Sequence, residues 1–389
     1  MPKTSTLKQN PVYPYGKLSS FYWFYFSVLG AIIPYWGLYL SKLGFSASQI
    51  GELIAIIMAT KIIAPNIWGW FADKTGQRVY IIRLGSFLTI VSFAGVFIDQ
   101  QFWWLCVVMF SFSFFWNAIL PQFEALTLNF LGTDHHRYSL IRLWGSIGFI
   151  SSVLFLGFLF TYIKIEYLPL IILVLFIGIF ISSLFVSEHP QKIHTLEHEP
   201  LQKLLKRPEV ISLFIACLLV QMSHGPYYSF FSIYAHEFNY SNSYIGFLWA
   251  LGVLSEVLVF IFMPRWINKI GLRYLLLFSL LSGSLRWLVI AYFIDVQWLL
   301  TLNQLLHAST FGIYHVVVIT LIHRYFTGSN QGMGQALYSS LSFGVGGALG
   351  SLYAGYLWES SGAAVTFEIA ALISFFAFLI AIKYSHKYN

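Results

Sequence analysis

The chain alternates long apolar runs with short polar connections almost from end to end. The runs fall near 18–40, 48–71, 79–98, 102–126, 138–162, 165–186, 208–236, 242–264, 274–294, 297–322, 334–357 and 364–384. Each is about twenty residues, long enough to cross a bilayer as a helix. The pattern predicts an all-α polytopic membrane protein with twelve transmembrane helices. The longest polar connection, SEHPQKIHTLEHEPLQKLLKR, separates the sixth run from the seventh. It divides the chain into six-helix halves at 1–187 and 208–389, joined by a linker at 188–207. The polar start and the length of the first run predict an uncleaved first span rather than a secretory signal.

Composition agrees with that reading. The chain is 58% hydrophobic and only 10% charged, against about 25% charged in a soluble domain. Its formal charge of +7 invites a nucleic-acid reading, but the placement of the charges excludes it. Lys3, Lys8, Lys17, Lys74, Arg78, Arg137, Lys192, Lys203, Lys206 and Arg207 fall on one side of the expected membrane. Arg265, Lys269, Arg273, Arg324, Lys383 and Lys387 fall on the same side, and only Lys42 and Lys164 lie opposite. The positive-inside rule then puts both termini and the linker in the cytoplasm.

An internal repeat supports the six-plus-six division. After the second run comes Gly69-x3-Asp73-x2-Gly76-x-Arg78, and 195 residues later comes Pro264-x3-Asn268-x2-Gly271-x-Arg273. Parallel repeats of this size are a transporter architecture, with the substrate site near the midplane between the halves.

Four more cations, Lys61, Arg83, Arg142 and Arg286, lie inside apolar runs, and those clearly within the membrane, with two acids, carry the candidate chemistry. Glu124 and Arg142 are on neighbouring runs joined by a short turn, and Lys61, Glu256 and Arg286 lie deep in theirs. An ionised group at such depth costs about 2.5–3.5 kcal/mol unless it is paired or wet. Cations exceed acids by one in this set, which favours an anionic substrate over a neutral one. Glu256 reads three ways: a proton carrier, a structural partner of Arg286, or a polar substrate contact. Asn303, His307, Phe311 and Tyr314 share one helix face, so His307 is either a substrate or proton-path contact or an interhelical hydrogen-bond partner. His224, just before Pro226, marks a helix break that lines a cavity, and His315 is a weaker candidate of the same kind. Tyr35, Trp36, Trp116, Tyr227 and Tyr228 are rings that could stack on an aromatic ligand. Gly346-x3-Gly350 and Ser351-x3-Gly355 predict close helix contacts.

Other classes find little support. His189, His194 and His198 in the linker lack a metal-ligand spacing and read as solvated. Cys106 and Cys217 read as small packing residues. No HExxH, GxSxG or P-loop occurs, so no metal site, cofactor or enzymatic constellation is expected. A membrane sensor would need a soluble signalling domain, for which there is no room.

The first loop copy resembles the G-x-x-x-D-x-x-G-R signature of the major facilitator superfamily, with its arginine one place later, after Gln77. The resemblance implies a conformational role for Gly69, Asp73, Gly76 and Arg78, a gating loop that holds one state. Glu124 and Arg142, eighteen residues apart and followed by Trp144-Gly145-Ser146, resemble the sugar-binding pair of the lactose permeases. Ile267–Gly271 and Arg286 resemble the same family's loop and its coupling arginine. A resemblance to the bacterial 3-phenylpropionate (hydrocinnamate) transporters covers nearly the whole chain. It is carried by YSLIRLWGS at 138–146, HGPYYSFFSIY at 224–234, YIGFLWALGVLSEV at 244–257, Leu285-Arg286-Trp287, LHASTF at 306–311 with His315, and QALYS at 335–339. Lys61 falls where that family has a basic residue. The chain departs from the lactose permeases after His307, where Ala308-Ser309-Thr310 offers no acid.

Together these imply a monomeric proton symporter of the bacterial inner membrane. It imports a small aromatic carboxylate by alternating access, with the lipid bilayer as its only other partner. The alternative is a proton-coupled sugar, oligosaccharide or nucleoside permease. The expected substrate contacts are Glu124, Arg142, Lys61, His224, His307 and Asn303, and the expected proton-coupling residues are Glu256, Arg286 and His307.

Overall fold

A computed structural model describes residues 14–132, 134, 137–188, 201–328 and 330–384. With no water in the bilayer core to satisfy backbone groups, each apolar run closes its own hydrogen bonds as a helix. The spans are α1 (Tyr15–Lys42), α2 (Ala47–Thr75), α3 (Arg78–Phe97), α4 (Phe102–Leu131), α5 (Tyr138–Leu159) and α6 (Ile165–Leu184). After the linker come α7 (Pro208–Glu237), α8 (Asn242–Ile270), α9 (Leu272–Phe293) and α10 (Gln297–Tyr325). A last helical run, Asn330–Tyr384, breaks at Gly362, which takes φ 86° and ψ 172°, giving α11 (330–361) and α12 (363–384). The helices overrun the apolar windows by several residues, because the backbone stays helical into the polar interface where hydropathy has already fallen. The linker histidines, His135 and His136 lie outside the described residues.

The repeat extends beyond the loop motif. Ser46 caps α2, its side chain accepting from the Gln49 amide, and Ser241 caps α8 by accepting from the Tyr244 amide. Both helices start, stop and cap at the same 195-residue offset. Gly76 ends α2 at φ 67°, a left-handed conformation that residues with a Cβ rarely take.

Within the N-terminal half α1 packs on α5 and α6, and α4 on α2 and α3. The halves meet where α1 packs on α7, α2 on α11 and α5 on α8. The α2–α11 and α5–α8 crossings are tightest at the ends remote from the linker. A side chain at Gly51 would put its first carbon 2.6 Å from the Ser351 carbonyl, and one at Gly157 would come equally close to the Asn242 carbonyl. The Ser48 amide also donates to Glu359 Oε2 at 3.0 Å, Tyr356 donates to Glu52, and Asn242 Nδ2 donates to the Phe160 carbonyl at 3.1 Å. The glycines of α11 serve both neighbours: Gly350 lies against Met222 and Gly225 of α7, and Gly355 against Gly51 of α2. The face remote from the linker is therefore shut. Toward the linker face, Trp70 and Phe71 of α2, Leu140 of α5 and Ile261 of α8 are exposed.

Candidate functional site

The first cluster belongs to the N-terminal half. Arg142 Nε lies 3.8 Å from Glu124 Oε1, and the Tyr138 hydroxyl donates to the same oxygen at 3.2 Å. The guanidinium sits 3.9 Å above the Phe26 ring, a cation–π contact. Gly145 makes room for it, since a side chain there would strike both Arg142 and Phe26. The pair lies only about 6 Å (Arg142) and 10 Å (Glu124) from the linker-side ends of α5 and α4, at 1.5 Å per residue. Both side chains remain about a third exposed, 32% and 35%.

Lys61 stands at the midpoint of α2 and is half-buried. Its ammonium reaches Met58 Sδ at 3.4 Å, and among the described residues no carboxylate lies within ion-pair distance of it.

The second cluster fills the C-terminal half. Arg286 is fully buried, with its guanidinium carbon 4.2 Å from the centre of the Tyr227 ring and 4.8 Å from that of Trp287. It donates to Thr310 Oγ1 at 3.1 Å and to Gln304 Oε1 at 3.4 Å. A further N–H points at His307 Nδ1, 3.1 Å away. Arginine can only donate, so Nδ1 is the acceptor and the neutral imidazole carries its proton on Nε2. That nitrogen faces Glu256 Oε2 at 3.6 Å. The direct Glu256–Arg286 pair considered from sequence is therefore not formed, because His307 stands between them. Gly252 and Gly312 make the insertion possible, lying against His307 and Glu256 respectively. Over Ala308–Ile313 the α10 backbone widens into a π-helix, a feature frequent at functional sites.

Asn303 donates through Nδ2 to the Arg286 carbonyl at 3.3 Å, which positions that helix turn. His224 is buried at the break between two segments of α7, with Nδ1 2.8 Å from the Val220 carbonyl and its ring edge-on to Trp287. Gln304 and Thr310 were missed by sequence reasoning. Gln304 had a usable signal, a third polar residue beside Asn303 and His307 in an apolar run.

At the loop motif, Arg78 pairs with Asp73 and donates to Gln122 Oε1 on α4 at 2.7 Å, tying the end of α2 to α4. The Val79 amide donates to Glu188 Oε2 at 2.9 Å, bringing in the start of the linker. In the second copy Arg273 lies 5.5 Å from the centre of its neighbour's ring, Tyr274.

Two six-helix halves, sealed at one face and holding charges on the helices between, define a membrane transporter of the major facilitator fold. The chain matches the MFS_1 like family over residues 15–369 and belongs to it; it is a multi-pass transporter and not an enzyme. It is 27% identical over 362 residues to the "Probable 3-phenylpropionic acid transporter" of Escherichia coli (strain K12), spanning 91% of this chain and 93% of that one. It is 25% identical over 375 residues to the maltose permease of Geobacillus stearothermophilus, spanning 93% of each chain. The crystal structure of the nucleoside transporter NupG superposes with a TM-score of 0.78 at 16% identity, covering 96% of this chain and 99% of that one.

Proposed function

We propose that this transporter carries a small aromatic carboxylate such as 3-phenylpropionate together with a proton. The observation that carries this reading is Lys61, a cation at mid-membrane without a carboxylate partner among the described residues. An ammonium in that position costs about 2.5–3.5 kcal/mol if it is left dry and unpaired, and an anionic substrate offsets that cost. Arg142, already neutralised by Glu124, contributes a second, exchangeable donor. Glu256 is the proton carrier, facing His307, which relays its charge state to Arg286. Asp73, Gly76 and Arg78, with Gly69, hold the linker-side ends in one of the two states.

With the Lys and Arg excess facing the cytoplasm, the closed face is periplasmic and the structure is the inward-open state of an inner-membrane carrier. The halves, 1–187 and 208–389, rock about the α2–α11 and α5–α8 crossings, and a monomer is sufficient. Alternation follows from unequal affinity of proton and substrate for the two states.

The second reading, a sugar or nucleoside permease, is favoured by the Glu124–Arg142 pair on Phe26 and by the maltose permease relative. Uptake of labelled 3-phenylpropionate into proteoliposomes with an imposed proton gradient tests both. Gradient-dependent uptake that excess unlabelled acid removes and excess maltose or nucleoside does not is the expected result. No uptake by inserted protein, or competition by the neutral sugar, overturns the carboxylate reading.

A further inference from the structure

Beside the second cluster, Phe311 and His315 on α10 and Tyr338 on α11 have no part in the scheme above. His307, Phe311 and His315 stack in a column, with ring centres 5.5 and 5.9 Å apart and planes within 9° and 2° of parallel. His307 at the top is buried in the arginine cluster, whereas Phe311 and His315 are half-buried. His315 Nδ1 is 3.1 Å from the hydroxyl of Tyr338 on α11. Tyr338 itself is buried, 2% exposed. A buried phenol must give its proton to an acceptor; this hydroxyl is also hydrogen-bonded to Tyr314, and with Tyr314 as the donor there the Tyr338 proton goes to His315 Nδ1. Receiving that proton fixes Nδ1 as acceptor, so the neutral ring carries its own hydrogen on Nε2. That Nε2–H has no partner among the described residues. A donor oriented by a buried tyrosine and left unpartnered has the form of a ligand contact rather than of packing.

We infer that His315 is a substrate-binding residue, whose Nε2–H donates to a carboxylate oxygen of the carried molecule. Phe311, stacked between His307 and His315, holds the imidazole plane in place. Tyr338 is a positioning residue: it acts only through the tautomer of His315. The inference rests on the carboxylate reading above.

The test is equilibrium binding of 3-phenylpropionate to the purified full-length protein in detergent, by calorimetry or ligand-induced thermal shift. A hydrogen bond to a charged group is worth about ten-fold or more in affinity, so His315→Ala should weaken binding by at least that factor. His315→Gln, whose amide N–H reaches the place of Nε2–H, should recover most of it. Tyr338→Phe, which frees the tautomer but keeps the ring, should weaken binding by about two- to five-fold. All three should elute as the wild type does and melt within a few degrees of it without ligand. His315→Ala binding as tightly as wild type, or His315→Gln binding no better than His315→Ala in folded protein, overturns the inference and leaves the carboxylate reading standing. A wild-type protein without affinity for 3-phenylpropionate overturns both.

Discussion

Glu124 and Arg142 in the N-terminal half stay about a third exposed, 35% and 32%, whereas His307 and Glu256 in the C-terminal half are 8% and 14% exposed and Arg286 is sealed. Both halves place a cation and an acid on neighbouring helices, but with unequal exposure. A long, partly exposed pair can open, admit a ligand and close again at little expense, since exposed ion pairs contribute only about 0–1 kcal/mol. A dry cluster cannot exchange partners with water. It can change charge only by taking or losing a proton, and any change is felt strongly in a low-dielectric surrounding. On the function proposed above, the exposed N-terminal pair with Lys61 binds, and the buried chain Glu256–His307–Arg286 couples.

The comparison can be broken at Lys61 first. Lys61→Met keeps the length of the side chain and removes its charge, and it should raise KM for 3-phenylpropionate by about 10- to 100-fold, the worth of a hydrogen bond to a charged group. An unchanged KM would return the anion to Arg142 alone. A smaller effect is expected at the exposed pair: Glu124→Gln should change KM by no more than about five-fold, because the ion pair it removes is long, 3.8 Å, and partly exposed. A loss of two orders of magnitude there would mean that Glu124 itself holds the substrate, as the sugar reading requires.

Much of this was legible in the sequence, and the limits are physical. Hydropathy located the spans because the bilayer admits only self-satisfied backbone. The 195-residue repeat anticipated the matching caps at Ser46 and Ser241. The stripes of α11 correctly foretold close helix contacts, since small residues admit a neighbouring backbone wherever it comes from. What could not be read was the relation between faces of different helices. Glu256 and Arg286 lie on adjacent spans and have opposite charge, and nothing in their spacing shows that His307 from a third helix stands between them. The Asn303–His307–Phe311–Tyr314 face failed for a related reason. The π-helix at Ala308–Ile313 shifts the register, so His315 joins the stack and Tyr314 turns inward to lie 3.5 Å from Ser342. Gln122 was likewise silent in sequence, an isolated amide in α4 whose role appears only when Arg78 arrives from α3.

The central claim, that the buried cluster couples while the exposed one binds, is tested most directly by Glu256→Gln in proteoliposomes. Two modes are compared: accumulation of labelled 3-phenylpropionate against its gradient under an imposed proton gradient, and exchange of labelled for unlabelled substrate at equilibrium without one. The glutamine amide has no proton to release, so accumulation should fall to the level of protein-free vesicles while exchange stays within a few-fold of wild type. Accumulation at the wild-type level in the mutant would contradict the account and remove Glu256 from the coupling path.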